Sequence, residues 1–163
     1  MNTAHRQASQ AKRHSGRGQY SADPMALFRV LNKLQPFSAA EQVQLSIPPR
    51  VCFEALRTGR GTESDFHTLA AIVNVSLIMS ETIDPLCIET CIKAQAALMR
   101  CLARFNTVRK WGLDGPALQD IEPVIDFHEQ LLTLCTPHQL QEAMRTTLER
   151  MANGDVLEGE LPE

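Results

Sequence analysis

Five cysteines and five histidines are the residues of this chain best suited to metal or nucleophile chemistry. Cys87 and Cys91 stand four apart in a segment with helical periodicity, so they share one face. The stripe they begin continues through Ala94, Leu98, Cys101 and Phe105. The next periodic segment carries Leu118, Ile121, Ile125, His128, Leu132 and Cys135 on one face. Antiparallel packing of the two about a turn near residue 113 would set Cys91 beside Cys135, Cys101 beside His128, and Cys87 beside His138. Cys87, Cys91, Cys135 and His138 would then have the ligand types of a structural zinc site. Cysteine is also a small hydrophobe that suits helix contacts, and this spacing matches no known zinc pattern. The expectation is therefore reduced core thiols without a cofactor, with zinc as the alternative.

The signals for catalysis are poorer. Gly59-Arg60-Gly61 precedes a helix start, where backbone amides can hold an anion. It lacks the lysine and the spacing of a nucleotide loop, and Gly59 is explained as a helix stop. There is no nucleophile elbow, and His128-Glu129 has no second histidine at 132, so the zinc-protease pattern fails. Asp126, His128 and Glu129 have acid–base chemistry available, yet three polar residues together on an amphipathic helix read as a solvated edge. The expectation is that the chain is not an enzyme, a small enzyme with a site near His128 being the minor alternative.

Charge offers a third chemistry. Residues 1–20 contain Arg6, Lys12, Arg13 and Arg17, with His5 and His14, and no acid. Such an arm can track phosphates or enter a minor groove beside a folded reader. No reader follows. Leu69 to Ile88 has the turn length of a helix-turn-helix, but the second helix would open Pro85-Leu86-Cys87-Ile88-Glu89, which offers bases no donor and repels phosphate. Arg100 and Arg104 share a face, with Arg109 and Lys110 beyond, and read as a solvated face that could extend the arm's footprint.

These residues must be positioned by helices. Asp23-Pro24, Ser38 with Glu41, Thr62 with Asp65, Asp84-Pro85, Gly115-Pro116 and Thr136-Pro137 are start signals. Pro36, Pro48-Pro49, Gly59, Gly112 and Gly154 are stops. They divide the chain into helices over 23–34, 38–47, 51–58, 62–81, 84–111, 115–134 and 136–153. Pro123 should kink or divide the sixth, and the last three are long enough to form an antiparallel backbone. No segment keeps a two-residue alternation, so no strand is expected. Asn74 and Ser76 interrupt the most apolar window, Leu69 to Met79, which is too short to span a bilayer. Asn74-Val75-Ser76 matches a glycosylation acceptor, without meaning inside a helix of a chain with no secretory signal.

The prediction is an all-α fold: one helical-bundle domain of six or seven helices over 23–154, a disordered basic arm over 1–22 and an acidic tail over 155–163. Composition agrees. The 163 residues suit one domain, 44% are hydrophobic and 21% charged, and the net charge of −3 excludes a polybasic nucleic-acid coat. Only 5% are aromatic, too few for a base-stacking platform. An odd cysteine count in helical segments suits a reducing compartment. Cytoplasmic placement without membrane contact is expected. Ile72 to Met79 is apolar on more than one face, which favours a homodimer.

Three phrases go further: MALFRVLNKLQPF at 25–37, GTESDFHTLAA at 61–71 and WGLDGPALQDIE at 111–122. They resemble small uncharacterised helical proteins carried on proteobacterial prophages and integrative mobile elements, over residues 25 to about 153. The resemblance carries no catalytic motif. It implies context: an accessory protein of a phage or mobile element in a bacterial cytoplasm. Together the residues and the resemblance lead us to expect a small non-enzymatic binding or regulatory protein acting through contacts with an unidentified protein partner, with the arm either touching nucleic acid or serving only as a solvated tail. The structural alternative is a homo-oligomer that completes its core across a symmetric interface.

Overall fold

The computed structural model describes residues 32–154. The basic arm, all but the end of the first predicted helix, and the acidic tail lie outside the described residues. Within them are five α-helices and one 3-10 turn, and no strand. The helices are α1 (Ala39–Arg57), α2 (Glu63–Ser80), α3 (Ile88–Val108), α4 (Gly115–Leu134) and α5 (Pro137–Ala152), with the 3-10 turn Pro85–Cys87 ahead of α3. None of these helices is long and apolar enough to cross a membrane.

The starts are where the caps place them. Ser38, Thr62 and Thr136 each close a full capping box, with Glu41, Asp65 and Gln139 reaching back to the cap amide at 2.8, 2.7 and 2.9 Å. Asp114 caps α4 by accepting from the Ala117 amide at 2.7 Å, and Asp84 accepts from the Leu86 amide at 3.2 Å. Gly59 and Gly154 end their helices at φ 69° and 72°. Beyond α3 the left-handed position falls to Arg109, at φ 55°, rather than waiting for Gly112.

One expected helix break is corrected, and one of two alternatives at another is settled. Pro48-Pro49 does not end a helix: α1 runs through both. Neither proline donates a backbone hydrogen bond, so two rungs of the ladder are missing. The helix persists because Pro49, Cys52, Phe53 and Leu56 are buried along one continuous face. Pro123 likewise sits inside α4 without dividing it.

Packing differs from an antiparallel backbone of the last three helices. α3 packs along α4, but α5 lies on α2 and not along α4. The hub is α2, in contact with α1, α3, α4 and α5. Its many-sided apolarity, which favoured a dimer, is therefore met inside the chain by Phe66, Leu69, Val73, Val75 and Met79. α4 is the second central helix, with Ile121, Val124, Ile125, Phe127, Leu131 and Leu132 all buried. Two short connections, 58–62 and 109–114, pack on each other at one end of the bundle, where the Leu113 amide donates to the Leu56 carbonyl at 3.2 Å. Gly61 is needed there, since a Cβ on it would run into the Leu56 side chain.

Candidate binding groove

The predicted sites come first. Arg6, Lys12, Arg13 and Arg17 lie outside the described residues. The four zinc candidates are placed, and they are not gathered. Among the described residues no three His, Cys, Asp or Glu side chains form a group able to hold a metal ion. Cys87 turns to its own cap, with Sγ 3.5 Å from Asp84 Oδ2. Cys91 and Cys135 are buried in the core, and His138 is exposed. Along this helix pair Arg100 of α3 bonds Asp120 of α4 at 2.8 Å, and Asp126 turns to Arg50 of α1 at 2.6 Å. Desolvation pushes the Cys91 thiol up to about 12 and raises Cys52, Cys87, Cys101 and Cys135 as well, so these are thiols rather than thiolates. Cys101 Sγ lies 3.4 Å from the Gly112 carbonyl, to which it donates.

Asp126, His128 and Glu129 separate in the same way. Asp126 and Glu129 hold Arg50 on the surface, Glu129 at 2.7 Å. His128 points the other way, 2% exposed, with Nδ1 3.1 Å from the Ser76 hydroxyl of α2. Burial holds its pKa down at about 4, against a small opposing pull from Glu129. A neutral imidazole bonded to a fully buried serine is a polar tie between the two central helices.

The surface with binding geometry lies elsewhere, in a groove of about 440 Å³ between α2, α3 and α5. Phe66, Ala70, Asn74, Leu77 and Ile78 form the α2 wall. Ile92, Gln95, Leu98, Met99 and Leu102 form the α3 wall, and Thr147, Arg150 and Met151 close it from α5. Arg150 is fixed there by a two-pronged pair with Glu81 at 2.9 and 3.1 Å. Thr147 points its hydroxyl back to the Ala143 carbonyl at 2.9 Å, which leaves its methyl for the groove. One polar pair sits among these side chains: Gln95 Nε2 donates to Asn74 Oδ1 at 2.8 Å. The other half of that amide is unsatisfied, because Gln95 Oε1 is buried and accepts no hydrogen bond among the described residues. A buried acceptor without a partner costs about 1–3 kcal/mol, so this oxygen is a local cost to the fold.

Sequence reasoning missed this pair. Asn74 registered as an interruption of an apolar window and as part of a glycosylation match, and Gln95 not at all. The available signal was an amide in the middle of a helix otherwise apolar on several faces, where only a hydrogen-bond partner justifies burial.

The far end of the groove joins an aromatic stack. Phe66 stacks on Trp111 with centroids 4.8 Å apart, and Trp111 on Phe105 at 4.0 Å. The Arg109 guanidinium carbon lies 5.7 Å from the centre of the Phe105 ring. The single tryptophan is thus separated from the groove by one ring. No family model matches the chain, and no curated protein or solved structure does.

Proposed function

We propose that the protein is a small non-enzymatic binding protein whose working surface is the groove between α2, α3 and α5. Its partner is a protein segment that enters as an amphipathic helix. The observation carrying this reading is the apolar trough between three helices, with one amide pair, Gln95 and Asn74, among its walls. From Phe66 to Ile78 the α2 wall extends about 18 Å at the rise of an α-helix. That length suits a helix presenting apolar side chains at positions i, i+4 and i+7 better than it suits a compact metabolite. Met99 and Met151 supply walls that adjust to the shape of the incoming side chains. The setting we propose, an accessory protein of a phage or mobile element working in a bacterial cytoplasm, rests on the resemblance of residues 25–37, 61–71 and 111–122.

One observation favours a second reading. Met144, Leu148 and Met151 are 50%, 66% and 53% exposed along the outer side of α5, beside the groove. A second copy of the chain could cover them, which is the homo-oligomer reading.

Capture from an extract of the source organism separates these readings when three baits are compared. Ile92 is 45% exposed on the groove wall, so Ile92→Glu leaves the fold intact while placing a charge in the trough. Val43, on the far side of α1, is the control. We expect a partner retained by the parent protein and by Val43→Glu, and lost with Ile92→Glu. Equal capture by all three baits, or recovery of the chain alone, overturns the proposal.

A further inference from the structure

We propose a second site, on different residues: Arg60, Arg104, Arg109 and Lys110 form a phosphate-binding surface for nucleic acid at the end of the bundle where α1 and α3 terminate. It is independent of the groove.

The first observation is how cations are used elsewhere on the body. Arg50, Arg57, Lys93, Arg100, Arg145 and Arg150 all meet a carboxylate. Among the described residues Arg60, Arg104, Arg109 and Lys110 meet none, and all four are exposed. Among the described residues, apart from Lys33, they are the cations that form no ion pair, and they are not scattered; Arg60 still feels Glu54 at longer range. The Lys110 side chain lies against Gly59, its Cε 3.2 Å from where a Cβ would stand, which sets it beside Arg60. Arg109 precedes Lys110, and Arg104 lies one turn back on α3, so all four flank the paired connections 58–62 and 109–114.

The second observation is what the neighbouring acids do. Asp65 and Asp114 accept from backbone amides as helix caps, Asp114 while itself exposed. Glu54 is held by Arg57 at 2.5 and 2.7 Å, and Glu63 lies 3.5 Å from His67. None of these carboxylates forms an ion pair with Arg104, Arg109 or Lys110.

The third is Arg109 itself. Its backbone is at φ 55°, where glycine is the favoured residue. Arginine is kept there with its guanidinium over Phe105 and its charge facing solvent. A position that fold alone would give to glycine instead carries a cation.

Nucleic acid fits this surface better than a lipid bilayer does. Val108 is the large apolar side chain exposed among these cations, so there is little to insert into a membrane. The chain also carries a second set of four cations, Arg6, Lys12, Arg13 and Arg17, without an acid or a large aliphatic residue among them before residue 20. Two separated basic sets on one molecule suit a long polyanion that can meet both.

The test uses the full chain and a labelled random-sequence DNA duplex, followed by fluorescence anisotropy between roughly 50 and 200 mM salt. Each phosphate contact contributes about 0.9 to the slope of log affinity against log salt. Arg104→Gln combined with Arg109→Gly should lower that slope by about 1.8 and weaken low-salt binding by roughly ten- to a hundredfold. Arg145→Gln, a cation held by two acids on α5, should change neither. Deleting residues 1–22 should leave a salt-dependent remainder whose slope the double variant then roughly halves, because Arg60 and Lys110 stay in place. The assignment is overturned if the full chain does not bind the duplex at low salt, or if the double variant keeps the parent slope. It is also overturned if phosphatidylserine vesicles or polyglutamate bind as tightly as the duplex.

Discussion

His128 is held neutral by its surroundings, and that makes it a liability in acid. Its pKa lies at about 4 in the folded protein against 6.5 for the free side chain. Above pH 6.5 folded and unfolded chains are both neutral at this position and nothing is lost. As pH falls from 6.5 to about 4 the unfolded chain takes up a proton that the folded one refuses, so stability declines by about 3 kcal/mol at most. Urea denaturation at pH 7.5 and pH 4.5 should show this decline in the parent and a much smaller one in His128→Gln, whose amide can still bond Ser76. An equal decline in both would assign the effect to carboxylates. The thiols give a second expectation at this scale. Cys87 is the one only half-buried, so brief treatment with iodoacetamide should label Cys87 first. Cys91, buried and pushed up to about 12, should label only on unfolding, and its early modification would contradict the buried environment described for it. Residue types were legible in the sequence at these positions, while their orientation was not. Cys91, Cys101 and Cys135 on the helical stripes lie in the core, whereas Cys87, which opens the first stripe, is half-buried beside Asp84. His128, Asp126 and Glu129 read as one polar edge because adjacency on a helix does not tell which neighbour each side chain will face.

Helix α1 keeps its form across two adjacent prolines, and the burden falls unequally on them. Pro49 is buried and its ring packs in the core, whereas Pro48 is exposed. Pro48→Ala restores a backbone donor and removes a ring clash without losing packing, so it should stabilise the protein by roughly 1–3 kcal/mol. Pro49→Ala should gain less, because it also opens a small void. Thermal denaturation of the two variants decides this, and a destabilised Pro48→Ala would mean that the ring itself sets the course of α1. Elements were the best-read level of this chain. The boxes at Ser38, Thr62 and Thr136 and the stops at Gly59 and Gly154 fix their helices through local chemistry, which a sequence displays. Pro48-Pro49 misled because a proline pair is a local stop signal, while the buried run from Pro49 to Leu56 that overrides it draws its strength from α2 and α4.

At the scale of the molecule the arrangement about α2 was not legible, since its apolarity on several faces fits a second copy of the chain as well as four intramolecular neighbours. The same hub carries Asn74 into the groove, and this allows the groove to be tested on the free protein. A fold selected for stability alone would fill the space between α2 and α3 with aliphatic side chains. Here it holds a glutamine whose carbonyl oxygen is buried and unpaired. Gln95→Leu removes that orphan acceptor and leaves Asn74, which is half-buried, within reach of water. The variant should therefore be as stable as the parent or more so, by up to about 1–2 kcal/mol. Asn74→Ala does the opposite, because it strips the Gln95 amide of its remaining partner, and should cost about 1–3 kcal/mol. Chemical denaturation of both variants checks these expectations. If Gln95→Leu instead loses more than about 1 kcal/mol, the amide pair is a staple between α2 and α3 whose contribution outweighs the unpaired oxygen, and the polar pair in the trough serves folding.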